Sequence, residues 1–331
     1  MSRLIEFLRQ HAVISGCILM IAGLQAGVVQ AQVSVLTQHN NNLRDGVNSN
    51  ETNLTPTNVN VNQFGMLFKV PVDDQIYTQP LVAASVSIAG ATHSVVYVAT
   101  TNNSVYAFDA GNGTQYWHVN LGTAFTISNG GFTCQDVLDT TGIMSTPVID
   151  TGNGTLFVVA QTYINGTSTH KLHALNLSTG AERPGSPVVI GAPGFNSVHE
   201  LQRTGLLLAN GEVYFSFASH CDQGTYKGIT FAYNATTLTQ DGVFNASPNG
   251  NGNGIWQSGN GAAADAAGNV YWVTGNGVWD GANNFSESIL KATPGLRLND
   301  WHTPSDYASL DSGDADLTSA GPLLLSNAKF V

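Results

Sequence analysis

The sequence repeats at an interval of about 57 residues, and this repeat constrains the fold more than any other feature. Equivalent positions in short apolar runs fall at Val96, Leu156, Val213 and Val270, with spacings of 60, 57 and 57 residues. Repeats of this length usually form stacked or radially arranged units, because one unit cannot bury its apolar face alone. We therefore expect an array of similar units.

Within each repeat, the residues favour β-strands. In the first unit, β-branched and aromatic runs predict strands at 79–83, 95–99, 105–109 and 115–121. Glycine is abundant, charged residues make up only 10% of the chain, and no convincing amphipathic helix follows residue 32, which disfavours a helical fold. The prediction is an all-β protein with four-stranded units at about 78–122, 141–191, 199–250 and 254–306, and an incomplete unit at 314–331.

Residues 1–31 have the features of a secretory signal peptide. Arg3 and Arg9 precede an apolar stretch at 12–29, and the small-residue pattern Val29-Gln30-Ala31 follows it. The alternative is an uncleaved membrane anchor, but three glycines and a glutamine interrupt the stretch, which is at the lower limit of length for a span. We expect cleavage after Ala31 and an exported product, periplasmic or secreted, with no membrane span in residues 32–331.

The net charge of −11 excludes one class of partner. With 22 acidic residues against 11 lysines and arginines, the chain has no basic footprint for a phosphate backbone or an anionic lipid surface. Nucleic acid is therefore not an expected partner.

One segment of the first unit resembles a known repeat. Residues 107–117, Ala-Phe-Asp-Ala-Gly-Asn-Gly-Thr-Gln-Tyr-Trp, resemble the tryptophan-docking motif A-x-D-x-x-T-G-x-x-x-W of pyrroloquinoline-quinone (PQQ) type β-propellers, with asparagine in place of threonine. The resemblance implies a propeller of four-stranded blades in which the motif is structural. Its residues here are Ala107, Asp109, Gly113 and Trp117.

The resemblance extends over nearly all of residues 35–331, to secreted bacterial quinoprotein-like propellers of mostly unassigned function. Later copies of the motif are weaker: 174–180 keeps the turn but has Pro184 where the tryptophan belongs. The start of a fifth unit at Ala320 suggests a chain truncated relative to a closed propeller of seven or eight blades, because closure removes exposed strand edges. The alternative is an open array of four blades.

In a propeller whose innermost strand comes first in each unit, the connections between units share a face with the connections between second and third strands. The candidate ligand-binding residues on this face are His199, Glu200, Arg203, His220, Asp222, Trp256, Trp279 and Asp280. A weaker candidate for a hard cation is the group Asp311, Asp314 and Asp316, for which the favoured alternative is a polar loop that caps the next strand. The same topology brings Cys134 and Cys221 to one face and predicts a disulfide between them, with two free thiols as the alternative.

Two functions from different classes follow from these features. The first is a binding or scaffold module for a polymer, a peptide or an envelope protein. The second, implied by the resemblance, is a dehydrogenase that oxidises alcohols or sugars with PQQ and Ca²⁺. The adjacent-cysteine pair typical of such alcohol dehydrogenases is absent from the sequence, and the glutamate, asparagine and aspartate that bind calcium match no motif here. We therefore favour the binding module.

Overall fold

The computed structural model describes residues 33–133, 137 and 139–325. Within these residues, four antiparallel sheets of four strands each follow one another along the chain. The first sheet contains β1 (Leu81–Ile88), β2 (Ala91–Ala99), β3 (Ser104–Asp109) and β4 (Gln115–Asn120). The second contains β5 (Val148–Asp150), β6 (Thr155–Ile164), β7 (Thr167–Asn176) and β8 (Val188–Val189).

The third and fourth sheets complete this series. The third contains β10 (Leu207–Ala209), β11 (Glu212–Ser216), β13 (Ile229–Asn234) and β14 (Gln240–Asn245), and a separate two-stranded ladder joins β9 (Glu200–Leu201) to β12 (Ala218–Ser219). The fourth contains β15 (Ala263–Ala264), β16 (Val270–Val273), β17 (Ile289–Thr293) and β18 (Arg297–His302). The helical segments are short: α1 (Ile127–Gly130), α2 (Tyr307–Ser312) and the 3₁₀ turns Gln257–Gly259 and Leu317–Ser319.

Successive sheets pack face to face, and each interface has its own apolar core. Tyr97 and Trp117 of the first sheet pack with Leu156 and Val158 of the second. Similar clusters fill the interfaces between the second and third sheets and between the third and fourth sheets. Because successive sheets bury apolar faces against one another, the repeat length of the sequence becomes the repeat of the structure.

The first strand of each sheet lies innermost. First strands of successive sheets are neighbours, and β14 and β18 are neighbours among the fourth strands. The outermost strand of the fourth sheet, β18, is almost wholly exposed, whereas the central strands β3 and β11 are buried along nearly their whole length. This radial order is that of a propeller, and the predicted all-β propeller fold is confirmed.

Residues 35–44, which precede the first sheet and which we call the inner segment, run along the inner edges of the first strands. Val35 forms a bridge with Val82, Leu36 O accepts a hydrogen bond from Ile149 N at 2.8 Å, and the Asn42 amide donates to Leu208 O at 2.9 Å. Further along, Asn42 O accepts from Ala264 N and Leu43 O accepts from Leu324 N.

This inner segment was not anticipated from the sequence. It satisfies backbone groups of all four first strands and of the residues that open the fifth unit. Among the described residues, no helix is long and apolar enough to cross a membrane.

Candidate functional site

The connections between sheets and the connections between second and third strands come together, and we call this surface the loop face. It comprises residues 121–147, 190–206, 246–262 and 303–323 between sheets, and 100–103, 165–166, 217–228 and 274–288 within sheets, as far as these are described. Backbone hydrogen bonds join the two kinds of connection, for example from Ile255 N to Phe217 O at 3.0 Å and from Gly275 N to Gly254 O at 2.8 Å.

Glu200 is fully buried beneath the loop face. It lies in β9, where Oε1 accepts a hydrogen bond from Lys227 N at 3.0 Å, while Oε2 has no hydrogen-bond partner among the described residues. Burial raises the pKa of this carboxyl well above its usual value, because the charged form loses hydration. Glu200 is therefore suited to hold a proton or donate a hydrogen bond.

Two of the predicted histidines are adjacent. The β9–β12 ladder aligns them, and His220 N donates to His199 O at 3.3 Å. The ring of Phe132 lies 4.8 Å from the His220 ring and 5.8 Å from the His199 ring. Burial, and then the nearby His199, lower the pKa of His220 to about 4, so His220 is neutral near pH 7. Its two ring nitrogens have no hydrogen-bond partner among the described residues.

An open pocket of about 550 Å³ lies beside these histidines on the loop face. It is formed by the tip of the β6–β7 hairpin, the connection that leads to β9 and the β12–β13 connection. Its uncharged side chains include Thr167, Ser168, Phe195, Asn196, Ser197 and Thr225. The predicted face is thus the face that carries the pocket, although the pocket is lined by residues that the sequence did not single out.

A chain of hydrogen bonds forms the floor of this pocket. Ser197 Oγ lies 2.9 Å from His170 Nδ1 and 3.0 Å from Ser168 Oγ, and Gln161 Nε2 donates to Ser168 Oγ at 3.1 Å. Burial, and then the nearby His220, lower the pKa of His170 to about 3. A signal was present in the sequence, since Gln161, Ser168 and His170 are polar residues within two otherwise strand-like runs.

The predicted cation group makes internal hydrogen bonds. Asp311 Oδ1 accepts from Gly277 N at 2.6 Å, Asp314 Oδ1 accepts from the Asn276 amide at 2.5 Å, and Asp316 Oδ1 accepts from Asn276 N at 3.3 Å. Among the described residues, no three His, Cys, Asp or Glu side chains are arranged to hold a metal ion. These hydrogen bonds attach the three carboxylates to the 274–288 connection, and their role in binding a cation stays a prediction.

A fourth carboxyl lies close to this group. Glu287 is buried, and its Oε2 accepts from Leu317 N at 2.7 Å. Burial, and then the nearby Asp316, Asp311 and Asp314, raise the pKa of Glu287 to about 7. Burial also raises the pKa of Asp316.

The remaining predicted residues are spread over the loop face. Arg203 lies over the Tyr77 ring at 5.1 Å, and Trp256 packs in the same apolar cluster as Tyr77. Trp279 Nε1 donates to Thr303 Oγ1 at 3.1 Å, and neither residue lines the pocket. Asp280 accepts from three successive backbone N–H groups of residues 282–284, which lower its pKa.

Asp222 belongs to the β12–β13 connection that borders the pocket. Its Oδ1 accepts from Tyr226 Oη at 2.5 Å and from Ser219 Oγ at 2.9 Å. Next to it, Thr133 and Gln223 exchange two hydrogen bonds. Cys134 lies outside the described residues, so its disulfide with Cys221 stays a prediction.

Two residues of the tryptophan motif, Ala107 and Trp117, belong to the apolar core between the first two sheets, and the other two, Asp109 and Gly113, belong to the β3–β4 turn. Trp117 Nε1 donates to Leu177 O at 2.9 Å, and its ring covers the backbone of Gly180 in the neighbouring sheet. Asp109 Oδ1 accepts from Gly111 N at 2.8 Å, and Gly113 has a φ of +76°. Ala107 is fully buried in β3. Trp117 thus joins the first two sheets, Asp109 and Gly113 shape a turn, and none of the four residues lines the pocket.

Comparison with solved structures supports the fold. The structure is similar to a quinohemoprotein alcohol dehydrogenase of Pseudomonas putida HK5, at 18% identity and a TM-score of 0.62, and to a quinohemoprotein alcohol dehydrogenase from Comamonas testosteroni, at 16% and 0.60. A europium-containing methanol dehydrogenase matches at 16% identity and a TM-score of 0.55. Each match covers 82% of this chain.

The same matches cover 40%, 41% and 48% of those three proteins, so this chain spans less than half the length of each. No protein-family model matches the sequence, and no curated protein matches it. The comparisons therefore establish a quinoprotein-like propeller fold, and the activity has to be argued from the loop face.

Proposed function

We propose that this chain is an exported binding module, whose loop face holds a polymer, a peptide or an envelope protein. The observation that carries the proposal is the open, uncharged pocket of about 550 Å³ between the second and third sheets. Its volume is within the usual range of ligand pockets, about 300–1,000 Å³. Export rests on the signal-peptide features of residues 1–31.

The ionisable groups around the pocket support binding without redox chemistry. Lys227 Nζ donates to Ser247 O and to Gly250 O, both at 2.6 Å, and Asp222 accepts from two hydroxyls. Because these groups are already paired within the protein, they stabilise the connections around the pocket. A ligand in the pocket then meets neutral hydroxyl, amide and aromatic groups.

The alternative is a quinone-dependent dehydrogenase, as the resemblance implies. Such an enzyme needs carboxylate and amide oxygens that converge on Ca²⁺, and cationic donors that are free to pair with the quinone carboxylates. In this chain the three candidate carboxylates, Asp311, Asp314 and Asp316, accept hydrogen bonds from backbone N–H groups of residues 276–277 and from the Asn276 side chain. The Lys227 ammonium donates to two backbone carbonyls. In these positions the residues do not fit Ca²⁺ and the quinone, and we therefore assign no oxidation step to this chain.

Reconstitution with PQQ and Ca²⁺ tests this choice. We expect the purified chain, freed of excess quinone, to keep no stoichiometric quinone absorbance and to show no dye-linked oxidation of alcohols or sugars. In parallel, arrays of envelope polysaccharides and peptides should bind the chain, and Thr225→Trp should abolish that binding by filling the pocket. Stoichiometric quinone together with dye reduction would refute the binding module, as would array binding that persists in Thr225→Trp.

A further inference from the structure

The pocket between the second and third sheets has a chemistry that selects among ligands. We propose that it binds a neutral, polyhydroxylated ligand, namely a saccharide. This proposal rests on the proposed function and narrows it to one ligand class. It is carried by three features of the pocket: its hydroxyl-rich floor, its fixed aromatic wall and its uncharged lining.

The floor of the pocket offers hydrogen-bond acceptors. The Ser168 hydroxyl donates to Ser197 O at 2.8 Å, and the Ser197 hydroxyl lies 2.9 Å from the ring nitrogen of buried His170. Since His170 is neutral near pH 7, its Nδ1 can accept the Ser197 proton. Ser168 Oγ then keeps one lone pair besides the one that accepts from Gln161 Nε2, and Ser197 Oγ also keeps lone pairs, so both oxygens can accept hydrogen bonds from the hydroxyls of a sugar.

One wall of the pocket is an aromatic ring held in a single orientation. Phe195 is partly buried and meets Phe217 at 4.8 Å and Phe231 at 5.6 Å, both edge to face. It also meets the His170 ring edge to face at 5.7 Å. A ring fixed in this way offers an apolar surface to the C–H groups of a pyranose without losing side-chain entropy on binding.

Asn196 provides a hydrogen-bond donor, which complements the acceptors of the floor. Its Oδ1 accepts from Val198 N at 3.1 Å, which fixes the side chain and leaves the Nδ2 group as a donor on the pocket wall. Thr167 and Thr225 add hydroxyls that can donate or accept at the rim. The pocket thus combines hydrogen-bond donors and acceptors with an aromatic ring, and the hydroxyls and C–H groups of a sugar require both.

The absence of charge in the lining argues against anionic and cationic ligands. All the lining residues lie in the described part of the chain and are uncharged. The side chain of Lys227 lies beside Gly194 of the lining, and its ammonium is held by Ser247 O and Gly250 O. An acidic polymer would meet no free cation here, and the net charge of −11 would repel it.

Isothermal titration calorimetry with maltotriose, cellotriose and chitotriose tests the proposal on the purified chain. We expect at least one of them to bind. Asn196→Asp keeps the Oδ1 acceptor that fixes the loop but removes the donor, and it should weaken binding at least tenfold, the equivalent of about 1.4 kcal/mol. Thr225→Trp should abolish binding, whereas Asn62→Asp, the same kind of change at an exposed amide outside the loop face, should not change it.

Circular dichroism and thermal unfolding should show that each variant is folded. The proposal is overturned if none of the three saccharides binds, or if their binding is unchanged in both Asn196→Asp and Thr225→Trp. Binding of a peptide that is lost in Thr225→Trp, with no saccharide bound, would overturn the saccharide and leave the binding module supported. Stoichiometric quinone together with dye reduction would instead refute the binding module itself.

Discussion

Replacement of Arg44 by alanine should cost more stability than any other single change in the inner segment. The side chain is only 2% exposed. Its guanidinium donates to Ala262 O at 2.8 Å, Gln38 O at 2.7 Å and Leu206 O at 3.2 Å, and to Thr37 Oγ1 at 2.7 Å. It therefore ties the inner segment to the third and fourth sheets.

The magnitude follows from what the substitution leaves behind. Three buried carbonyls and one hydroxyl lose a charged donor, and each unsatisfied group costs about 1–3 kcal/mol. Part of this is offset, because the folded protein no longer has to bury a charge; burial lowers the pKa of Arg44 to about 9. Water that enters the space left by the side chain restores some hydrogen bonds as well. We expect a net loss of about 3–5 kcal/mol in the free energy of unfolding.

Urea unfolding, followed by circular dichroism and by tryptophan fluorescence, measures this loss. Arg44→Met, which keeps most of the volume, should lose nearly as much, since the hydrogen bonds and not the packing carry the effect. Arg183→Ala is the matched control: Arg183 also donates to a backbone carbonyl, Asn153 O at 2.7 Å, but in an exposed position, and its loss should cost less than about 1 kcal/mol. A cost below about 1 kcal/mol for Arg44→Ala would refute the role assigned to the inner segment.

Three further predictions concern the sheet interface and the loop face. Trp117→Ala should lower the free energy of unfolding by about 3–5 kcal/mol in urea titrations, because a buried indole is lost, whereas Trp301→Ala, with 44% of the residue exposed, should cost less than about 1 kcal/mol. For Glu287 the folded pKa is raised to about 7, so its contribution to stability is present below pH 4.5 and lost as the pH rises through 7. The stability of Glu287→Gln relative to the wild type should therefore increase from pH 5 to pH 8. The midpoints of urea unfolding of both proteins, taken at both pH values, measure this increase. Gly224→Ala should destabilise by about 1–3 kcal/mol in thermal unfolding, because the residue has a φ of +80° and the added carbon would overlap the His199 ring.

The sheets could be predicted because their determinants are local. The 57-residue interval, the β-branched runs and the turn chemistry around Asp109 and Gly113 each depend on residues close in sequence. The structure places β3 at Ser104–Asp109 and β4 at Gln115–Asn120, within a residue or so of the strands expected there. Larger differences occur where a hairpin is longer than its apolar run, as in β1, which extends to Ile88.

The inner segment could not be predicted, because it has no periodicity of its own. It is ordered by single contacts to several distant strands, such as Val35 to Val82 and Asn42 to Ala264. Its sequence is rich in asparagine, which by local rules indicates a turn or a loop. The same limit applies to the pocket: Ser197 and His170 are 27 residues apart, and Ser197 lies in the connection that follows β8, so the two side chains meet only when this connection folds back onto β7.

The separation between what holds the sheets and what lines the pocket explains why fold similarity conveys so little about function here. Trp117 and Gly180 fix the spacing of neighbouring sheets through an interface remote from the pocket lining, so the same packing tolerates many loop sequences. An identity of 18% with a TM-score of 0.62 shows a shared fold, and the fold by itself does not decide the function. The ligand is then decided by the connections, and in this chain they bury Glu200 and His220, pair the carboxylates internally and leave hydroxyls, an amide and one phenyl ring facing solvent.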